Sequence, residues 1–149
     1  MPVDFRNVDA SPSDDVRTWP YEALVIAIDR GLVPDWQPIF AELRRSPWGR
    51  VARRVERYLL YREPDAAGKL FTLAIEHARS EADRDDRAEV AARLRQAVSR
   101  SGLSNAEFAR LVGTSASRLS TYLSGKVTPS AAMLVRIERA ADETTDVSG

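Results

Sequence analysis

The apolar residues of this chain recur at intervals of three and four almost throughout, and nowhere do they alternate over a convincing length. That pattern belongs to helices and not to strands. Tyr21, Leu24, Val25 and Ile28 form the first stripe, with Thr18 as a start, Pro20 in the first turn and Gly31 as a stop. Trp36, Ile39, Phe40 and Leu43 form the second behind Asp35, with Pro38 early enough that its missing N–H costs little. Ser46-Pro47 reads as the N-cap and first residue of a third helix, which turns Trp48, Val51, Ala52, Val55 and Leu59 inward and ends by Pro64. Asp65 then caps a fourth, whose apolar residues are Leu70, Phe71, Leu73, Ala74 and Ile75. Residues 18–80 are therefore expected to form an N-terminal helical domain. Ahead of them, residues 1–17 mix Pro, Ser, Asp and Asn without period and are expected to be a flexible arm.

No Gly or Pro interrupts the stretch between Lys69 and Ser101, and Asp83 stands four residues before Arg87 as a helix pair would. Residues 81–86 are either a linker or a continuous helix; a break is favoured, with Asp85 or Asp86 capping the next helix. That helix buries Val90, Leu94 and Val98 and ends at Gly102. Near the other end, Thr128-Pro129-Ser130 opens a closing helix with Met133, Leu134 and Ile137 inward, and residues 142–149 are expected to be a disordered tail.

Between these helices lies SNAEFARLVGTSASRLSTYLSGK, Ser104 to Lys126. Ser104 is a good N-cap and Glu107, three residues on, completes a capping box. Phe108, Leu111 and Val112 give a short helix its apolar stripe, and small Ala109 leaves room for a crossing partner. Gly113 suits the left-handed end of that helix, and Thr114 and Ser115 offer a new N-cap at once. The second helix buries Leu119 and Leu123 and stops at Gly125, while Ala116, Ser117, Arg118, Ser120 and Thr121 make a short, polar outer face. An ordinary helical hairpin is the bland alternative, but a hairpin inside a core would place bulk at those positions.

Helix, glycine turn and helix at this length form a helix-turn-helix. With the opening SNAEFARLVGTS, the run to Ser124-Gly125-Lys126 and the closing Thr-Pro-Ser, Ala88 to Ala141 resembles the XRE family, the Cro and lambda-repressor type of DNA-binding domain. The resemblance implies a lambda-repressor-like domain of about four helices at residues 87–141, which, added to the bundle of about four helices that the periodicity predicts ahead of it, makes an all-α chain. It also implies double-stranded DNA as partner, the helix Ser115 to Ser124 in the major groove, and repression as the outcome.

Such binding needs contacts that clamp phosphates and contacts that read base edges. Asn105, Ser115, Ser120, Lys126 and Thr128 are the candidates for the first; many relatives carry Gln where Asn105 stands, and its reach is shorter. Ser115 has a competing role as a helix cap. Base readout is expected from Ala116, Ser117, Arg118 and Thr121, of which Arg118 alone offers a bidentate fork to guanine; a phosphate contact is the other reading for it. In better-known relatives the positions of Ala116 and Ser117 often carry longer amides, which implies modest direct readout here and more reliance on DNA shape.

Charge sharpens this division. The 149 residues hold 22 bases and 22 acids, yet Arg87 to Ala140 has nine bases against three acids, leaving +6 there and −6 on the remainder. The third helix region is also basic, with Arg44, Arg45, Arg50, Arg53, Arg54, Arg57 and Arg62, and these either extend a DNA footprint, pair internally or meet an acidic partner. There is no cysteine, so neither a disulfide nor a thiolate metal site exists. His77 is the lone histidine and has no nucleophile or carboxylate pair spaced around it, so no enzyme, metal or cofactor is expected. Without an apolar run long enough to span a membrane or a signal-peptide core, a cytoplasmic protein is expected. A homodimer is expected on a palindromic site, with either the N-terminal domain or the outer face of the closing helix as dimeriser. The alternative is an antitoxin or adaptor whose N-terminal domain binds another protein.

Overall fold

The computed structural model describes residues 3–148 and is all-helical, with no strand among the described residues. It divides into two compact units, one up to Ala82 and one from Asp83 on. The first contains α1 (Tyr21–Arg30), α2 (Val33–Arg45), α3 (Arg50–Tyr61) and the opening turns of α4 (Ala66–Ser101). The second contains the remaining turns of α4 with α5 (Asn105–Val112), α6 (Ala116–Leu123) and α7 (Ala131–Ser148).

The first unit closes on Trp19, Leu24, Ile28, Ile39, Leu43, Val55 and Phe71, with Trp36 and Phe40 packed edge-on or tilted against Phe71. The arm expected to be flexible is part of this core as far as it is described. Phe5 and Val16 are buried, and the Phe5 ring meets Trp19 edge-to-face at 4.9 Å between centroids. The Trp19 indole donates to the Asp14 carbonyl at 3.1 Å, and a 3-10 turn at Val16–Thr18 brings the chain round. Residues 3–17 lack a helical period because they hold no α-helix, not because they lack buried apolar groups. Met1 and Pro2 lie outside the described residues.

Three starts differ from expectation, each for a local reason. Thr18 belongs to the 3-10 turn and donates its hydroxyl to the Asp15 carbonyl, so Pro20 precedes α1 without a side-chain cap. Asp35 is the third residue of α2 and not its first: its carboxylate accepts from the N–H of Leu32 at 2.7 Å and of Val3 at 3.0 Å. Both bonds favour the ionised form and lower its pKa. Ser46 ends α2, and Pro47 and Trp48 form a turn, with the Gly49 N–H on the Ser46 carbonyl at 3.0 Å, before α3 begins at Arg50. In that turn Trp48 is half exposed and stacks over the Arg79 guanidinium, not in the core as expected. Asp65 does cap α4, accepting from the Gly68 N–H at 2.8 Å.

Helix α4 runs from Ala66 to Ser101 without the expected break, and Asp85 and Asp86 lie inside it. Nothing in SEADRDDRAE breaks a helix, and a mid-helix Asp costs only a few tenths of a kcal/mol, ~0.5 relative to Ala. Its early turns give Phe71 and Ile75 to the first core, while Leu70 and Leu73 are exposed. Its late turns give Leu94, Ala97 and Val98 to the second core. At the far end α7 continues through Ser148, so the described part of the expected tail is helical; Gly149 lies outside the described residues. Ala140 and Ala141 are buried, which carries the helix past Ile137, and Thr144 and Thr145 bond back to their carbonyls at 2.8 and 2.9 Å.

Candidate nucleic-acid interface

The second unit is a frame around two short helices. Ser104 caps α5 by accepting from the Glu107 N–H at 3.2 Å, although the Glu107 carboxylate makes no return bond, so only half of the expected capping box forms. Phe108, Ala109 and Val112 are buried, whereas Leu111 is exposed on the outer side of the helix. Gly113 then takes φ 79°, ψ 36°, a left-handed conformation that costs an L side chain ~1–2 kcal/mol. Its N–H and that of Thr114 return to carbonyls of the last turn of α5. The chain leaves this turn into Ser115, whose hydroxyl accepts from the Arg118 N–H at 3.1 Å and starts α6.

Two arginines from the frame hold the ends of these helices. Arg136 on α7 donates to the carbonyl of Val112 at 3.2 Å, and Arg95 on α4 donates to that of Leu123 at 2.7 Å. Each carbonyl closes a helix C-terminus, where partial negative charge accumulates and a cation is favoured. Both arginines are among the nine bases between Arg87 and Ala140, and each gives an N–H to the fold. Arg93 likewise pairs with Glu138, and Arg100 with Asp142 at 3.5 Å.

Helix α6 is held by Leu119, fully buried, and by Tyr122, nearly so. The opposite side carries the expected contact residues. Ala116, Ser117, Arg118 and Ser120 are exposed, and Thr121 is half-buried. The Arg118 guanidinium and the Lys126 ammonium have no hydrogen-bond or ion-pair partner among the described residues, so both are free for an anion. Ser115, Ser117, Arg118 and Thr121 line one shallow concavity of ≈ 560 Å³, together with Tyr122 and Val127. Ala116, Ser120, Asn105, Lys126 and Thr128 do not line it, and all five are exposed.

Hydrogen bonding divides the roles further. Ser115 accepts in its cap, which leaves its proton for a phosphate oxygen, so the cap and the contact are compatible. Thr121 donates its hydroxyl to the Arg118 carbonyl at 2.7 Å, so toward a base it can only accept. The Thr121 carbonyl receives both the Ser124 hydroxyl at 3.2 Å and the Val127 N–H at 3.1 Å. Those two bonds, with Gly125 at φ 78°, fold the loop back on α6 and set Lys126 beside it. Sequence reasoning missed Val127, an exposed apolar residue that walls the concavity; an apolar residue just after a helix stop was the available signal.

Among the described residues, no cluster of His, Cys, Asp and Glu could hold a metal ion, and no helix is long and apolar enough to cross a membrane. Residues 89–146 match a family of proteins described as a helix-turn-helix domain. No curated protein and no solved structure matches the chain. The second unit is thus a helix-turn-helix domain, with α5 as the first helix and α6 as the second.

Proposed function

We propose that the chain is a sequence-specific regulator of transcription that binds duplex DNA through α6 in the major groove, and that it belongs with the XRE-type repressors. The observation that carries this reading is the outer face of α6: small or polar side chains, one unpaired arginine and a loop lysine, on a helix anchored from behind by Leu119. Short side chains let the helix approach base edges, and Arg118 supplies the one fork that can grip guanine N7 and O6. Ser115, Asn105, Lys126, Thr128 and Ser120 then fix the module on phosphates. The small side chains at Ala116 and Ser117 leave part of the preference to the shape and flexibility of the site.

A single module of this size holds an operator weakly, and the reading includes a homodimer on a palindrome with half-sites about 34 Å apart. The first unit presents exposed Leu60 and Leu73 along a groove between α3 and α4, which supports a protein contact there. The same groove favours the second reading, an antitoxin or adaptor in which this unit holds another protein.

The test is enrichment of random duplexes on the full chain, followed by its molar mass on and off the enriched DNA. A palindromic motif bound by two chains supports the dimeric repressor. A chain that enriches no motif, yet co-purifies from its host with one protein released by substitution of Leu60 and Leu73, would replace this reading with the adaptor.

A further inference from the structure

Helix α3 has two opposed faces. Val51, Ala52 and Val55 are buried on one, and on the other Arg50, Arg53 and Arg57 stand exposed at i, i+3 and i+7. These three side chains make no hydrogen bond or ion pair among the described residues. Their neighbours in sequence do. Arg45 pairs with Glu42, Arg54 donates to the Trp19 carbonyl at 3.0 Å, and Arg62 bridges Asp29 at 3.1 Å and Asp65 at 2.9 Å. Glu56, the acid within α3 itself, is taken by Arg79. Internal pairing therefore accounts for three of the arginines in this region and leaves a stripe of like charge, whose members repel one another at these spacings.

We propose that this stripe contacts the phosphate backbone of the duplex that α6 reads, as a second and sequence-blind anchor on the first unit. The inference rests on the DNA-binding reading of the second unit. With a rise of 1.5 Å per residue, Arg50 to Arg57 spans about 10 Å, the axial length in which one strand of duplex DNA places about three phosphates. Arginine forks grip phosphate oxygens two at a time. From Arg50 to Arg57 the exposed side chains are all arginine, and the exposed apolar ones, Leu60 and Tyr61, follow only in the last turn of the helix. A module tethered to one already on the duplex also meets the backbone at high effective concentration, so weak ionic contacts suffice.

The experiment compares full-length chains on a 40-bp duplex of mixed sequence, by fluorescence anisotropy across a salt series. The variants are R50Q/R53Q/R57Q, R50K/R53K/R57K and R118A/K126A, each checked for unchanged helicity and urea midpoint. Each lost phosphate contact lowers the slope of log K against log salt by ~0.9, so the glutamine triple should lose between two and three, and affinity near 0.15 M salt should fall on the order of 100-fold. The lysine triple should keep the slope. A glutamine triple with the wild-type slope, beside a lowered slope for R118A/K126A, overturns this inference and leaves the reading of α6 intact. The reverse pattern, a lowered slope for the glutamine triple beside the wild-type slope for R118A/K126A, also overturns it, because the stripe would then hold the duplex without the α6 contacts the inference joins it to. Wild-type chain that ignores the duplex but binds polyglutamate, with that binding lost in the glutamine triple, overturns the inference in favour of an acidic protein.

Discussion

Arg95, on α4, donates a hydrogen bond of 2.7 Å to the carbonyl of Leu123 at the last turn of α6. The bond ties the end of the proposed recognition helix to the longest helix of its unit, as Arg136 ties the end of α5 to α7. Both guanidiniums are exposed, so the dipole contribution is screened and each is worth roughly 0.3–1 kcal/mol. Arg95→Ala and Arg136→Ala should each lower stability by that amount in urea denaturation. Duplex preference should be unchanged, because neither residue is on the outer face of α6. A changed base preference with unchanged stability would assign Arg95 to the DNA instead.

Gly113→Ala should cost about 1–2 kcal/mol, from backbone strain and not from crowding. A methyl group added at this position would meet an Arg136 nitrogen at 3.7 Å, an ordinary contact, whereas φ at +79° disfavours any L side chain. Gly113→Asn, whose side chain tolerates this region, should recover part of the loss. Chemical denaturation of the three proteins is the check; equal stability of alanine and glycine would mean the turn relaxes.

Arg118→Ala should relax preference at one or two base positions, at ~1–3 kcal/mol of discrimination. Lys126→Ala should instead weaken every sequence alike and lower the salt slope by about one. Competition titrations on enriched and scrambled duplexes separate the two. Uniform weakening for Arg118→Ala would place that guanidinium on a phosphate.

Tyr58 donates to Asp29 beside the Arg62 pair, and burial, then its bond to the Asp29 carboxylate, pushes its pKa up to about 12 from 10.0. A raised phenol pKa means stability fully present below the unfolded value and lost as pH rises through the folded one. Between about pH 10 and pH 12 the first unit should therefore weaken progressively. Tyr58→Phe should flatten that dependence. Phenolate absorbance with parallel thermal melts would show it, and ionisation of Tyr58 at its ordinary value of about 10 would refute it.

The local sequence determined the helices and the turn: Ser104, Gly113, Ser115, Gly125 and Ser130 act through backbone neighbours three or four residues away, and such bonds need nothing distant. It likewise determined the polar face of α6, because Leu119 at the centre of the apolar side leaves Ser117 and Thr121 opposite. What tertiary structure alone decided were the pairings. Val3 reaches Asp35 and Arg54 reaches Trp19, so an aperiodic segment became part of a core. Of the positive charges carried along the second unit, Arg95 and Arg136 went to helix ends, while Arg118 and Lys126 stayed free. Charge is a property of composition, but its availability depends on which acceptors the fold carries within about 3 Å, and those acceptors lie tens of residues away in sequence.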